Sequence, residues 1–210
     1  MRHPGVPHPD GVGGMAQAAV ALPRGLFSVV MSDPPWSFRD KCRSGKRGAG
    51  YKYQTMSLRE ICALPVREIV TPDAFLFLWV PASLLAQQYE AFVAHAWGFD
   101  VKTVAFVWRK LSRTGRKPHF GMGHHTRQDA EFCMLGVRGH PKVASHSVRQ
   151  VIEAPVREHS RKPCETFSRI EQLCGDVPRV ELFSRQRRPG WMSWGIEVDK
   201  FEPLESAAEE

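Results

Sequence analysis

The 210-residue sequence has no hydrophobic run long enough to cross a membrane. Its longest apolar stretch, Ala74 to Leu85, is far shorter than the about 20 residues that a spanning helix needs. The opening residues MRHPGVPHPDGVGG also contain no hydrophobic core of a secretory signal peptide. We therefore expect a soluble protein that acts in the cytoplasm and has no membrane partner.

The sequence also has no pair of cysteines at the C-x-x-C spacing. An odd number of cysteines is scattered along the chain, which favours reduced thiols over a disulfide framework: Cys42, Cys62, Cys133, Cys164 and Cys174. His119, His124 and His125 lie near one another, but no cysteine or carboxylate stands at ligand spacing from them. We therefore expect no metal site.

Positive charge is in excess, with 29 Lys and Arg against 22 Asp and Glu and a net charge of +7. Such a balance favours polyanionic partners, although a charge that serves solubility alone is the alternative. The excess is concentrated in two segments that we interpret as loops able to contact phosphates: Arg39, Lys41, Arg43, Lys46, Arg47 and Lys52, and then Arg109, Lys110, Arg113, Arg116 and Lys117. Lys46 and Arg47 are candidate substrate-binding residues.

The periodicity of apolar residues predicts one domain over residues 23–198, between a flexible segment at 1–22 and an acidic flexible tail at 199–210. Apolar runs predict strands at 26–32, 74–80, 102–110, 130–139, 149–155 and 179–185. Helical patterns occupy 56–66, 81–97 and 162–175. This alternation predicts an α/β fold with a mostly parallel central sheet and helices on both faces.

Two of the predicted helices have residues at their ends that are typical of helix limits. Ser57 followed by Glu60 predicts a capping box at the start of the first helix. Gly98 is expected to close the helix that ends at Trp97.

The segment FSVVMSDPPWSFRD at 27–40 ends a strand with residues that can continue neither a strand nor a helix. Proline fixes its own φ and extends the residue before it, so Asp33, Pro34 and Pro35 form a stiff corner. In parallel sheets, ligands bind beyond the carboxyl ends of the strands, where this corner lies. Residues 181–185, at the end of the last predicted strand, lie at a second such position.

The corner has the groups that an exocyclic amino group of a base requires. Such a nitrogen is a weak nucleophile, and acceptors for both of its N–H bonds return charge to it during methyl transfer. The Asp33 carboxylate and the Pro34 carbonyl are such acceptors, and Trp36 is expected to stack on an unstacked base. A strand-end turn with a core tryptophan is the alternative.

Further motifs follow in a fixed order: YQTMSLREICALPV at 53–66, FLFLWV at 75–80, AWGF at 96–99, HSRKPCE at 159–165, VELFSR at 180–185 and GWMSWG at 190–195. Together with DPPW at 33–36, they resemble the N6-adenine methyltransferase family typified by the catalytic subunit of the mRNA N6-adenosine methyltransferase. The resemblance covers Phe27 to Glu197. It implies a Rossmann-like methyltransferase fold in a permuted order, for which a G-x-G-x-x-G motif is not required.

The resemblance also implies an activity: transfer of a methyl group from S-adenosylmethionine to N6 of adenine in nucleic acid. The compact chain is similar to bacterial or phage members, which favours DNA over RNA. A homodimer or heterodimer is implied as a possible assembly. The segment from Arg109 to His125 is a candidate subunit interface or a candidate clamp on nucleic acid.

By the same resemblance, the catalytic motif consists of Asp33, Pro34, Pro35 and Trp36, and Tyr53 packs near the target base. Lys162 would reach the methionyl carboxylate of the cofactor or the reacting centre, and Arg185 the cofactor ribose. The implied cofactor site also contains Glu181, Phe183, Gly195 and Glu197. Glu181 on its strand, and Glu131 beside another, are equally compatible with structural roles.

The sequence departs from the family pattern at three places. Ile196 stands where an asparagine is usual, Cys164 replaces an acid, and no acid occurs between Gly11 and Ser32, where Met15 occupies the expected position. These departures predict weaker cofactor binding or a site completed by a partner chain.

Two other functions stay open. A catalytically silent, nucleic-acid-binding partner subunit is compatible with the altered cofactor loop, although such partners lose the acid or the aromatic of the catalytic motif. Cytosine N4 methylation is less favoured, because those enzymes usually have serine in place of Asp33.

Overall fold

A computed structural model describes residues 20–37, 55–121, 125–158 and 161–203. Within these residues the strands are β1 Phe27–Ser32, β2 Val70–Val80, β3 Asp100–Leu111, β4 Ala130–Arg138, β5 Val151–Pro155, β6 Arg179–Leu182 and β7 Met192–Trp194. The α-helices are α1 Leu58–Cys62, α2 Ala82–Leu85, α3 Tyr89–Trp97 and α4 Cys164–Cys174, and a 3-10 helix spans Val66–Ile69. Most of the predicted flexible segments, 1–22 and 199–210, lies outside the described residues.

The described strands form a seven-stranded sheet in the order β5-β3-β4-β2-β1-β6-β7. β1 is parallel to β2 and β6, β3 to β5, and β6 to β7, whereas β4 is antiparallel to both of its neighbours. The predicted mostly parallel sheet is therefore confirmed. The chain leaves β1 toward one side of the sheet and returns on its other side as β6, so strand order reverses between β1 and β6, the place where open α/β sheets bind ligands.

Helices cover both faces of the sheet, as the sequence predicts. Alternate residues of β2 point to opposite faces. Ala74, Leu76, Leu78 and Val80 join a core with buried residues of α1, α2 and α3. On the other face, residues 75, 77 and 79 pack in a second core with the buried side of α4.

The predicted helix limits are partly confirmed. Ser57 and Glu60 form the capping box, in which the Ser57 N–H donates to the Glu60 carboxylate at 2.8 Å. Gly98 closes α3 with φ of 86°, and a Cβ there would lie 2.8 Å from Arg67 Nε. The helix predicted over 56–66 is shorter, because Pro65 ends it before the 3-10 turn.

The single helix predicted over 81–97 is wrong. Gln88 has φ of 57°, and this left-handed backbone separates α2 from α3. The strand predicted over 102–110 is confirmed as β3, which extends to Leu111. Arg109 and Lys110 belong to this strand and not to the loop in which the second cluster of cations was also expected. Among the described residues, no helix combines the length and the apolar character that crossing a bilayer requires.

Candidate active site

The Asp33–Trp36 corner follows β1 directly and is held by backbone hydrogen bonds. The Trp36 N–H donates to the Pro34 carbonyl at 2.8 Å, and the Met56 N–H donates to the Pro35 carbonyl at 2.8 Å. The Pro35 carbonyl is therefore committed to the fold. The Pro34 carbonyl keeps one lone pair for a further donor, since a carbonyl oxygen accepts two hydrogen bonds.

Trp36 does not have the geometry expected of a stacking platform. Its side chain is only 3% exposed and packs in the core beside α3, with its ring 6.3 Å from that of Tyr89. The indole N–H donates to the Trp79 carbonyl at 3.0 Å. Because the side chain is buried, the structure favours the alternative, a core tryptophan, over the stacking prediction, and Trp36 anchors the corner to β2.

Asp33 lies in a network of alternating charges. Lys162 Nζ is 2.5 Å from Asp33 Oδ2 and 3.3 Å from Glu131 Oε2. Lys110 Nζ is 2.6 Å from the other oxygen of Glu131. The Lys162 side chain is only 8% exposed, whereas that of Asp33 is 27% exposed. A buried ammonium of this kind requires such partners.

The network sets the charge of its members. Burial alone would lower the pKa of Lys162, but the carboxylates of Asp33 and Glu131 outweigh burial and raise it. Burial alone would raise the pKa of Glu131, but Lys162 and Lys110 lower it to about 2. Burial raises the pKa of Asp33 against the opposing effect of Lys162. Lys162 is thus a permanent cation rather than a base.

A pocket that is open to solvent adjoins Asp33. Its lining is rich in cations and contains two acids: Asp33, Arg157, Arg161, Lys162, Phe167, Glu181, Phe183, Arg185, Gln186, Arg188 and Phe201.

The pocket brings together many of the predicted cofactor residues. Lys162, Glu181, Phe183 and Arg185 all line it. Glu197 contacts it indirectly, since its carboxylate is 3.0 Å from Arg185 Nε. The prediction missed Arg157, Arg161, Arg188 and other lining residues, although the basic runs REHSRK and RQRR were a signal for them.

Glu181 is a half-buried acid in this pocket. Burial raises its pKa from 4.5 to about 7, against a hydrogen bond from Ser184 that favours the charged form. Ser184 Oγ lies 3.0 Å from Glu181 Oε2 and 2.8 Å from the Gln186 carbonyl. Since the hydroxyl has one proton, it donates fully to one of these oxygens only. A proton on Glu181 allows both contacts to be hydrogen bonds.

Cys164, the residue that replaces a family acid, contacts two guanidinium groups. Arg157 Nη2 is 3.4 Å and Arg188 Nη2 is 3.8 Å from its sulfur. Burial alone would raise the pKa of this thiol, but the arginine donors outweigh burial and lower it. The sulfur therefore accepts a hydrogen bond from each of the two arginines.

The absence of a side chain at Gly195 allows the segments that follow β6 and β7 to pack closely. A Cβ at this position would lie 2.8 Å from the Ser184 carbonyl oxygen and 3.1 Å from the Ser184 nitrogen. Its neighbour Trp194 stacks edge-on against Phe183, with ring centroids 5.5 Å apart. Gly195 does not itself line the pocket.

The candidate substrate-binding residues Tyr53, Lys46 and Arg47 lie outside the described residues. Glu131, which the sequence left open between the site and a structural role, belongs to the Asp33 network. Within the described ranges, no three His, Cys, Asp or Glu side chains are grouped so that they could hold a metal ion.

The MT-A70 family model matches residues 27–197. The chain belongs to the MT-A70 family. The resemblance inferred from the sequence motifs is thereby confirmed, and with it the assignment to a family of methyltransferases with a Rossmann-like α/β fold. The match begins at β1, just before the Asp33 corner, and ends at Glu197, the partner of Arg185.

The chain is similar to three relatives, but the alignment covers a different share of each relative's length. It is 30% identical to the type II methyltransferase M.MunI of a Mycoplasma species, over 84% of this chain and 80% of the relative. It is 32% identical to the zebrafish N(6)-adenosine-methyltransferase subunit METTL3, over 83% of this chain and 28% of the relative. The Arabidopsis N(6)-adenosine-methyltransferase MT-A70-like protein is 31% identical over 83% of this chain and 24% of the relative.

We expect the stability of the protein to depend on the protonation of Glu181. Because its pKa in the folded state is about 7 rather than 4.5, the stabilising effect of its proton is full below pH 4.5 and is lost as the pH rises through 7. Between about pH 5 and pH 8, the free energy of unfolding of the wild type should fall by about 2 kcal/mol relative to that of Glu181→Gln. Chemical denaturation across this range measures the difference. Parallel curves for the wild type and Glu181→Gln would contradict the raised pKa of Glu181. Glu153→Gln is the control for loss of an exposed carboxylate.

Replacement of Gly195 should disturb the β6–β7 end of the sheet. We expect Gly195→Ala to lower the free energy of unfolding by about 1–3 kcal/mol, as overpacking does. Gly121→Ala is the control, because its Cβ would make an ordinary contact at 3.5 Å from the Gln128 carbonyl oxygen. Equal stabilities of the two variants in urea denaturation would show that the close packing at Gly195 has no energetic consequence.

Proposed function

We propose that this MT-A70 protein transfers a methyl group from S-adenosylmethionine to the N6 amino group of adenine in DNA. The observation that carries the proposal is the position of Asp33. This carboxylate stands after β1, at the reversal of strand order, and lines the pocket that also contains the ends of β6 and of the segment before α4. A base amino group at Asp33 and a cofactor in the pocket would thus be neighbours.

The pocket fits the chemical groups of S-adenosylmethionine. The guanidinium groups of Arg157 and Arg188 suit the methionyl carboxylate, and the side chains of Phe183 and Phe201 offer apolar surface to the adenine ring. Arg185 and the Glu181 carboxyl are polar partners for the ribose hydroxyls. The ammonium of Lys162 already forms ion pairs with Asp33 and Glu131. This favours a role for Lys162 at the reacting centre over binding of the methionyl carboxylate. When bound, the cofactor supplies an electrophilic methyl group on a sulfonium.

The residues of the corner then prepare the amino group for attack. The Oδ1 atom of Asp33 and the free lone pair of the Pro34 carbonyl would accept its two N–H bonds, which returns electron density to the nitrogen. The N–C bond would form as the bond between the methyl group and sulfur breaks, which would leave a neutral thioether, and one N–H proton must leave the nitrogen. Because Lys162 stays protonated, this proton passes to Asp33 or through it to the solvent that reaches its side chain.

DNA is the favoured nucleic acid because of the extent of the alignments. The chain covers 80% of the type II methyltransferase from Mycoplasma, but 28% of the zebrafish N(6)-adenosine-methyltransferase subunit. RNA is the alternative polymer, and the choice is open to direct measurement.

The segment between β3 and β4 supports binding to a polyanion. Arg113, Arg116 and Lys117 are exposed there, and none of them forms an ion pair with a carboxylate among the described residues. Phe120, in the same segment, is 58% exposed. Because the segment continues β3 and β4 beyond Lys110 and Glu131, it would place these cations beside the target strand.

The test is transfer of an isotope-labelled methyl group to unmodified DNA and RNA, followed by digestion and mass spectrometry of the nucleosides. N6-methyladenine from DNA is the expected product. Product from RNA alone would show that RNA is the substrate polymer, and N4-methylcytosine would show that cytosine is the target base. No product, together with nucleic-acid binding but no cofactor binding by calorimetry, would indicate a silent partner subunit.

Asp33→Asn should lower methyl transfer by at least about 10²-fold while cofactor affinity stays within a few fold, because the variant keeps the shape of the acceptor but not its charge. Lys162 keeps Glu131 as a carboxylate partner, so we expect the fold to persist. Asp100→Asn, with a side chain 78% exposed, is the matched control. Unchanged turnover with a wild-type thermal transition would remove Asp33 from the mechanism.

The salt dependence of binding tests the segment between β3 and β4. Replacement of Arg113, Arg116 and Lys117 by glutamine should lower the slope of log K against log salt by about 2 to 3 on duplex DNA, since each phosphate contact contributes about 0.9. Lys102→Gln with Lys142→Gln removes exposed charge elsewhere and should leave the slope as in the wild type. A wild-type slope in the triple variant would place the segment outside the nucleic-acid interface.

A further inference from the structure

A chain of four charged side chains leads from β3 to the Asp33 corner. Lys110 Nζ contacts Glu131 Oε1 at 2.6 Å, Glu131 Oε2 lies 3.3 Å from Lys162 Nζ, and Lys162 Nζ lies 2.5 Å from Asp33 Oδ2. Lys110 therefore affects Asp33 through two intermediates, without a direct contact between them.

The strand register holds Lys110 and Glu131 together. In the antiparallel pair of β3 and β4, Trp108 lies opposite Glu131, and the Lys110 N–H donates to the Asp129 carbonyl at 2.8 Å. Lys110 and Glu131 are thus diagonal neighbours on one face of the sheet, within reach of long side chains. Lys110 Nζ also lies 5.5 Å from the Trp108 ring centroid, which further restricts it.

Lys162 divides its N–H groups between two carboxylates. An ammonium has three N–H donors. Two face Asp33 and Glu131, and the nitrogen lies 5.4 Å from the centroid of the Trp79 ring. Because Lys110 occupies one oxygen of Glu131, only the other oxygen faces Lys162, and the ammonium lies closer to Asp33 than to Glu131.

We infer that Lys110 is a positioning residue for methyl transfer, which by holding Glu131 keeps the Lys162 ammonium on Asp33. The inference rests on the proposed function for its catalytic consequence. Without Lys110, the charge of Glu131 would act on Lys162 alone, and the ammonium would move from Asp33 toward Glu131.

The direction of the effect on Asp33 follows from the groups that face it. Burial raises the pKa of Asp33, Lys162 lowers it, Glu131 raises it and Arg185 lowers it. Glu181 and Cys133 also interact with Asp33 electrostatically. Withdrawal of Lys162 therefore raises the pKa of Asp33 further, whereas neutralisation of Glu131 lowers it.

The experiment compares the pH dependence of kcat for Lys110→Met and Glu131→Gln in the full chain. In Lys110→Met, the acidic limb should move up by about one pH unit, so that kcat at a pH on that limb falls by about tenfold, with KM within about threefold. In Glu131→Gln, the acidic limb should move in the opposite direction. Lys110→Arg should restore the wild-type profile, and Lys102→Met, on the same strand with an exposed partner, is the control for charge removal.

A second measurement does not require activity. Titration of the Asp33 carboxyl by ¹³C NMR in the free protein, assigned with Asp33→Asn, should show the same opposite shifts in the two variants. Shifts of the same sign in both variants, or no shift in Lys110→Met, would overturn the inference. If the titrations shift as expected but the wild type methylates no base, the proposed function fails while the electrostatic link from Lys110 to Asp33 stands.

Discussion

The ion pair between Lys162 and Asp33 is the interaction on which the candidate site depends. A charge as buried as that of Lys162 is costly unless carboxylates face it. The pair joins the end of β1 to the segment before α4, so it links two parts of the chain that are 129 positions apart. Loss of either partner would leave the other uncompensated, except that Glu131 offers Lys162 a second carboxylate.

The sheet topology makes this pair possible. β1 lies between β2 and β6, so the residues that follow β1 and β6 meet at the same edge. The two prolines after Asp33 stop β1 from continuing and direct its chain across to Met56, while Phe183, with φ of 62°, turns the chain after β6. A pocket opens between these two turns because neither strand extends across it.

Much of this arrangement could be predicted from the sequence, because it depends on local chemistry. Proline explains the corner at Asp33, the Ser57 and Glu60 pair explains the helix start, and apolar runs explain the parallel strands. The sequence left Trp36 open between a stacking platform and a core tryptophan. Local chemistry could not decide between the two, since the burial depends on the Trp79 carbonyl, 43 positions away. The role of Lys110 was also hidden, because it depends on the register of β3 against β4 and not on the basic run around it.

The charged state of Lys162 constrains how the site can work. A lysine held between two carboxylates cannot serve as the base that removes a proton from an amino group. In the proposed function it also competes with that amino group for Asp33, since both would donate N–H bonds to one carboxylate. Asp33 has two oxygens, and Lys162 contacts Oδ2. In the proposed function, the other oxygen is therefore the acceptor for the base, so that one carboxylate would retain its ammonium and still orient the nucleophile.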